Sequence, residues 1–460
     1  MHLIHQEERS MSIIDRDKLH KVLESELDLF KKHHTRSYEL FLRAQKSLLG
    51  GVPMNWMVRW AGGYPIFVKE AKGAHFTDVD GHDYIDFCLG DTGAMTGHSP
   101  EASMKLIAEH LQKGITFMLP TEDSIWVGEE LQRRFGLKYW QTTLTATDAN
   151  RFALRLARHI TKRPYVLCYN YCYHGSVDET FITLNDGIPG PRPGHIGPQV
   201  NPALTTRVIE WNNLEALEQA LAPRDIAVVM AEPVMTNIGI IHPDEGYHDA
   251  LRKLTRKYGT LLLIDETHTI CTGPGGYTQA YGLDPDIFTI GKPIGSGIPA
   301  GVYGFTQEVA DRINASTTID DADVGGIGGT LAGNALSLAA IKATLSTVLT
   351  QEAFDKMIPL AVKWAEGVDQ VIKEFGLPWV VNRLGARAEY WFCPQTPRNG
   401  GDAEAAVDFE LDRYMHLAAI NRGILMTPFH NMSLMCPATS QADVDYHTRT
   451  FREMVQQIVK

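Results

Sequence analysis

Two side chains define the chemistry open to this sequence: Asp265 and Lys292, joined by a glycine-rich stretch. Asp265 closes the uninterrupted apolar run LLLID, which reads as a buried strand ending in an acid. A second short run, DIFTI, delivers Lys292 at the start of a glycine-rich turn. Ligands in open α/β sheets sit beyond strand ends, so an acid and a lysine leaving two nearby strands can meet in one crevice. A lysine amine forms a Schiff base with an aldehyde, and a carboxylate keeps a pyridine nitrogen protonated so that the ring accepts electrons. That pairing suits pyridoxal phosphate (PLP). The plainer alternative is a surface lysine after a strand and an aspartate that caps the next segment.

The surrounding elements must position this pair. In TLTATDANRFALRLARHI, residues Ala149, Phe152, Ala153, Leu156, Ala157 and Ile160 trace one helical face, and Thr145, Ala146 and Thr147 stand where the helix begins. Such a start offers free N–H groups and hydroxyls to an anion, with a simple N-cap as the alternative. The strand PYVLCYN leads to Tyr173, His174 and Gly175, and the buried run DIAVVMAEPV carries Glu232. GIPGPRPGHIGPQVNP is too long for a mere connector, which fits a mobile or substrate-facing loop.

Ahead of these elements, residues 1–16 read as polar and frayed, with Met11 a candidate natural start. Leu19, Val22, Leu23, Leu27 and Phe30 recur at helical spacing, and a second amphipathic segment with Tyr38, Phe41, Leu42 and Leu49 stops at Gly50-Gly51. Their apolar stripe needs cover from a partner subunit or from the chain's own C-terminal part. Residues 65–89 alternate as antiparallel strands with Asp80-Gly81 at a hairpin turn. After residue 338 the pattern is helix (339–349), helix (352–375), strand (around 379–392), helix (404–421), strand (423–427) and helix (442–459).

The order I-D-E, a glycine-rich segment, D-x-x-T-x-G-K and G-x-G-x-P-x-G resembles the PLP-binding region of class III aminotransferases, within fold type I. The branch it most resembles holds glutamate-1-semialdehyde aminomutase and the β-amino-acid and amine transaminases, and the likeness runs from Gly50 onward. It implies an α/β fold: a large domain with a mainly parallel central sheet, and a smaller α/β domain built from the two chain ends. The implied boundaries are a helical segment at 1–65, a PLP-binding domain at 66–338 with antiparallel strands at 66–89, and a small domain at 339–460.

The resemblance also assigns roles. Asp265 and Lys292 are catalytic; Thr145, Ala146 and Thr147 hold the phosphate, although Ala146 replaces the family's glycine and Asp148 its glutamate. Tyr173 of Y-H-G stacks on the ring, with His174 beside it. Glu232 holds the hydrogen-bond network; Thr267 replaces a valine on the ring face, and His268 reaches the ring hydroxyl or is a buried structural histidine. Gly329 and Thr330, in GGIGGTLAGN, reach the phosphate of a neighbouring subunit's cofactor, which implies a homodimer with shared active sites. Candidate substrate contacts are Arg59 in VPMNWMVRWAGGYPIF, Asp91 in GDTGAMTGHSP, and Arg387 in LGARAEY, whose strand alternation leaves its direction open.

Composition closes other routes. Among 460 residues, 44% are hydrophobic and 21% charged, ordinary for a globular enzyme. A formal charge of −12 disfavours a nucleic-acid partner, and the clusters Lys31-Lys32 and Arg133-Arg134 read as solvated faces. No apolar run approaches a membrane span, and the N-terminus lacks a signal core. The six scattered cysteines fit free thiols of a reducing compartment, so a cytoplasmic location is expected. Cys168, Cys172 and His174 lack a second ligand pair at zinc-site spacing, so no metal centre is expected. The expected activity is a PLP-dependent aminotransferase moving an amino group from an amine or β-amino acid to an α-keto acid such as pyruvate, through pyridoxamine phosphate. Two alternatives stand beside it. One is a glutamate-1-semialdehyde aminomutase, disfavoured by G-D-T-G and the spacing around Arg59; the other is a non-catalytic PLP-fold subunit, disfavoured by Lys292 and Asp265 together.

Overall fold

Runs such as IAVVMA and LLLID carry no polar alternation, so they need cover on both faces. Both form strands in which every residue is buried. The structure, a computed structural model, describes residues 13–316, 325–428 and 430–460. In chain order the described residues form strands β1 (Val68–Lys72), β2 (His75–Asp78), β3 (Asp83–Asp86), β4 (Tyr139–Thr143), β5 (Tyr165–Tyr169), β6 (Ile182–Asn185), β7 (Ile188–Pro191) and β8 (Thr206–Ile209). They continue with β9 (Ile226–Ala231), β10 (Leu261–Asp265), β11 (Ile287–Ile290), β12 (Gly301–Phe305), β13 (Val380–Leu384), β14 (Arg387–Trp391), β15 (Ile424–Leu425) and β16 (Met432–Leu434).

The chain divides into two compact units: Met1–Asp91, Met357–Thr396 and Ala406–Lys460 in one, Thr92–Lys356 and Pro397–Ala405 in the other. The second unit is built on a sheet of order β4-β12-β11-β10-β9-β5-β8. Within it β8, β5, β9, β10 and β11 pair in parallel, and β12 runs antiparallel to both β11 and β4. Helix Ala146–Thr161 buries the apolar face read from its sequence, with Phe152, Ala153, Leu156 and Ala157 packed among Val228, Leu263 and Ile287 of the sheet. Burying Phe152 and Leu156 contributes about 1.5–3 kcal/mol each, which fixes the helix against the sheet.

The first unit holds a sheet of order β1-β2-β3-β15 and an antiparallel sheet β13-β14-β16. The strands of 66–89, expected in the large domain, belong here because β3 pairs in parallel with β15 near the chain's end. Residues 339–356 lie in the second unit, within or after helix Ala335–Thr347. The single strand expected around 379–392 is a hairpin, β13 and β14, turned at Gly385 with a φ of +56°. The helix expected over 404–421 is two, Gly400–Ala405 and Phe409–Ile420, the latter capped by the Asp408 side chain on the Leu411 N–H. The three-residue β16 was not anticipated, being too short to show a period.

Residues 13–16 are not frayed. Ile14 bridges Val459, and the Asp15 N–H donates to the Ile458 carbonyl at 2.8 Å, tying the start of helix Arg16–His33 to the last helix, Gln441–Ile458. Met11 lies outside the described residues. No helix among the described residues is long and apolar enough to cross a membrane.

Candidate active site

Parallel pairing sets Asp265 at the end of β10 opposite Thr289 of β11, so the acid and the chain leading to Lys292 leave the sheet side by side. The Glu266 N–H donates to the Thr289 carbonyl at 2.9 Å and continues that register past the last pair. Asp265 is buried and carries three donors. His174 Nδ1 and Asn150 Nδ2 each lie 2.9 Å from Oδ2, and the Thr267 N–H lies 3.1 Å from Oδ1. Burial alone would raise its pKa; the His174 hydrogen bond and charge, with Thr267 and Asn150, overcome this and carry it from 3.8 to about 2. For His174, burial opposes the charged form, and the Cys172 sulfur with the Asp265 carboxylate outweighs it, raising the imidazole well above 6.5. The result is a fixed anion that stays ionised at any working pH.

Lys292 sits in the left-handed region, φ +48°, at the head of a short 3-10 turn. Its Nζ lies 2.7 Å from His268 Nε2, and His268 Nδ1 is 3.0 Å from Thr92 Oγ1. Thr92 Oγ1, His268 and Lys292 therefore form a line of hydrogen-bonding groups ending at the amine. Sequence reasoning aimed His268 at a ring hydroxyl; here it touches the lysine.

The start of helix Ala146–Thr161 is N-capped by Thr145, whose Oγ1 accepts the Asp148 N–H at 3.2 Å. That cap occupies Thr145, while the N–H groups of Ala146 and Thr147 have no carbonyl one turn earlier in the helix to serve. Two close approaches hold neighbouring turns against this helix start. A Cβ on Gly175, φ +77°, would fall 2.1 Å from Thr147 Oγ1, and one on Gly291 would fall 3.0 Å from the Ala146 nitrogen. Thr147 Oγ1 also accepts the Ser176 N–H at 3.1 Å. Glycine is needed at 175, where the positive φ and the clash coincide, and Gly291 packs closely on Ala146, so the Y-H-G turn, the helix start and the residue before Lys292 converge.

Glu232, just beyond β9, is buried; its Oε2 accepts from the Thr236 hydroxyl and Oε1 has no hydrogen-bond partner among the described residues. Burial raises its pKa to about 7, partly offset by His174 and Thr236. An acid with a raised folded-state pKa costs stability as pH climbs from 4.5 to about 7. Glu232→Gln should therefore match wild type in acid and exceed it by about 3 kcal/mol above neutrality. Urea unfolding across pH measures this; a gap that does not change with pH refutes it.

The other expected residues are placed as follows. Thr267 is buried with its Oγ1 unpartnered among the described residues, and Tyr173 is half-buried with its ring edge-on to Phe181 at 6.1 Å. Gly329 and Thr330 are exposed on this chain. Arg59 is exposed after the 3-10 turn Asn55–Val58. Arg387 opens β14 and turns inward, fully buried, with Nη2 3.7 Å from Asp91 Oδ1 in the same unit. Asn150, which sequence reading missed, lies beside the marked apolar positions of its helix and only its partner reveals its use.

These groups fit PLP. A locked buried carboxylate suits a protonated pyridine nitrogen, a helix start crowded by two glycines suits a phosphate, and Lys292 offers an amine.

Comparison with known proteins agrees. The family described as Aminotransferase class-III matches residues 57–442. A glutamate-1-semialdehyde 2,1-aminomutase of Anaeromyxobacter sp. (strain Fw109-5) is 32% identical over 89% of this chain and 95% of its own length. The structure of a glutamate-1-semialdehyde-aminomutase from Pseudomonas aeruginosa PAO1, in complex with PMP, is 47% identical with a TM-score of 0.95, covering 97% of this chain and all, 100%, of that one. An omega-transaminase from Sphaerobacter thermophilus is 26% identical with a TM-score of 0.83, covering 92% and 97% of the two chains.

The expectation of an amine donor and a separate keto acceptor is thereby corrected. The similarity favours the aminomutase alternative. The features held against it, G-D-T-G and the spacing around Arg59, lie in turns between the regular elements. The chain belongs to the class III aminotransferase family and is a PLP-dependent enzyme of fold type I.

Proposed function

We propose that the chain is an isomerase of the glutamate-1-semialdehyde 2,1-aminomutase kind, moving an amino group between neighbouring carbons of one substrate. What carries this reading is aminomutase similarity at 47% identity across 97% of the chain. No second carbonyl substrate is consumed, because the same molecule gives and receives the nitrogen.

PLP, when bound, supplies a ring that delocalises the electron pair left when a proton leaves carbon. The protein's part is positioning and proton handling. Asp265 holds a proton at the ring nitrogen, since its own pKa of about 2 leaves it anionic. Lys292 takes a proton from carbon and returns it to the neighbouring position, with His268, 2.7 Å away, orienting the amine. The Ala146 and Thr147 N–H groups hold the phosphate at the positive end of their helix. Tyr173 and Thr267 cover the ring faces, and Glu232 closes the network behind His174.

We assign the exposed Gly329 and Thr330 to the cofactor phosphate of a second copy. The exposed apolar cluster Ile115, Phe117, Met118 and Leu119 supports such a homodimer. Six free cysteines accord with a reducing cytoplasm.

The test is direct. Holoenzyme given glutamate-1-semialdehyde, with no keto acid present, should produce the isomeric amino ketone, followed by chromatography of the derivatised product. Turnover that appears only with an amine donor and pyruvate overturns the reading.

A further inference from the structure

We propose that His34, Asp78 and His82, far from the catalytic residues in sequence, form a binding site for a borderline divalent cation such as Zn2+, which staples the N-terminal helix junction to the β2–β3 hairpin. This inference goes beyond the catalytic reading and does not depend on it.

The ligand atoms converge. Among the described residues these three side chains alone bring His or carboxylate ligand atoms within 4.8 Å of one another as a group. Asp78 Oδ2 lies 3.6 Å from His34 Nε2 and 3.1 Å from His82 Nδ1. A tetrahedral Zn2+ with bonds near 2.0–2.1 Å places its ligand atoms roughly 3.3 Å apart. The two measured separations straddle that value, and all three ligand atoms lie within 4.8 Å of one another.

Each ligand is held by the fold. His34 sits between helices Arg16–His33 and Thr35–Ala44, and its Nδ1 is 2.8 Å from the Phe30 carbonyl, which can only accept. Nδ1 therefore carries the hydrogen, and in the neutral ring Nε2 presents a lone pair, the arrangement typical of a ligating histidine. Asp78 is fully buried at the end of β2, its Oδ1 fixed by the N–H groups of Asp80 at 2.9 Å and His82 at 2.8 Å. His82 is about one-third exposed, at 38%, and gives a path from solvent.

The Tyr84 hydroxyl is 2.7 Å from His34 Nε2 and 3.0 Å from Asp78 Oδ2. That hydroxyl carries one proton for two acceptors, and a hydrogen on His82 Nδ1, 3.1 Å from Oδ2, can serve the carboxylate. A cation bound by Nε2, Oδ2 and His82 Nδ1 takes the place of these protons. The two-nitrogen, one-oxygen set selects Zn2+, Ni2+ or Co2+ over Mg2+.

The test uses untagged, chelator-treated holoenzyme titrated at neutral pH with Zn2+ against a chromophoric competitor. One Zn2+ per chain should bind at micromolar affinity or tighter and raise the thermal midpoint by a few degrees, while Mg2+ does neither. His82→Ala, at a partly exposed position, should weaken Zn2+ at least about tenfold with isomerase activity unchanged. If His82→Ala does not fold, His82→Gln, which keeps a donor for Asp78 but no ring nitrogen, takes its place. X-ray absorption of the wild-type zinc complex should show only nitrogen and oxygen neighbours. Equal affinity in wild type and variant, sulfur around the zinc, or no stoichiometric binding overturns the proposal.

Discussion

Lys292→Ala is expected to cut turnover by at least about 10⁴-fold while the protein remains folded and its cofactor site otherwise intact. Lys292 is the amine next to His268 Nε2 at 2.7 Å, and the groups that fix Asp265, namely His174, Asn150 and the Thr267 N–H, make no use of it. Removing the amine deletes the proposed proton carrier and leaves the buried Asp265 carboxylate with its three donors. Alanine accepts the same backbone cost as lysine at φ +48°, so unfolding is not the expected cause of any loss. Two readouts separate chemistry from structure. The thermal midpoint should stay near that of wild type, and small primary amines added to the solution should restore part of the rate. A variant that keeps more than about a hundredth of wild-type turnover would remove Lys292 from the proposed role.

Asp265→Asn is the second large effect, about 10³-fold in turnover, and unlike the lysine variant it should also lose stability. The substitution leaves a raised, buried His174 facing a neutral amide, and breaking one half of a buried charge pair costs about 3–5 kcal/mol. The pH dependence follows from both shifts. Asp265 is depressed from 3.8 to about 2, so its stabilisation is present above 3.8 and disappears as pH falls through about 2. His174 is raised above 6.5, so its contribution is full below 6.5 and is lost as pH rises through its higher folded-state value. The wild-type advantage over Asp265→Asn should therefore be widest between 3.8 and 6.5. Paired denaturant titrations across pH would measure it, and an advantage that grew steadily toward alkaline pH would contradict the assigned pair.

The contrast between Asn150 and Thr145 explains what a sequence can and cannot say about such a site. Thr145 announces itself, because a hydroxyl residue before an apolar helical face is a cap by local geometry, and the structure makes it one. Asn150 has no local signature. Its amide matters because helix Ala146–Thr161 is laid across β10 and β11, which brings Nδ2 to within 2.9 Å of Asp265. His268 is a similar case, since its partner depends on where the turn after β11 carries Lys292.

The choice between isomerase and transaminase was also out of reach of motif reading. Both reactions remove and return a proton with the same lysine and hold the ring with the same acid, so Asp265 and Lys292 are silent on the matter. The proposed cation site was invisible for a different reason. Its ligands stand at positions 34, 78 and 82, from a helix junction and a hairpin, and no short spacing links the first to the others.

The sequence by itself determined the buried strands, the helix start capped by Thr145, and the placing of Asp265 at the end of one strand and Lys292 just after the next, because apolar runs, caps and glycine turns act over a few residues. Tertiary structure alone decided the inward turn of Arg387, the hairpin at Gly385, the allegiance of strands β1 to β3 and the partners of Asp265. Each of these depends on which distant segment supplies the next hydrogen bond or covers the next apolar face, and that is settled only when the chain has closed on itself.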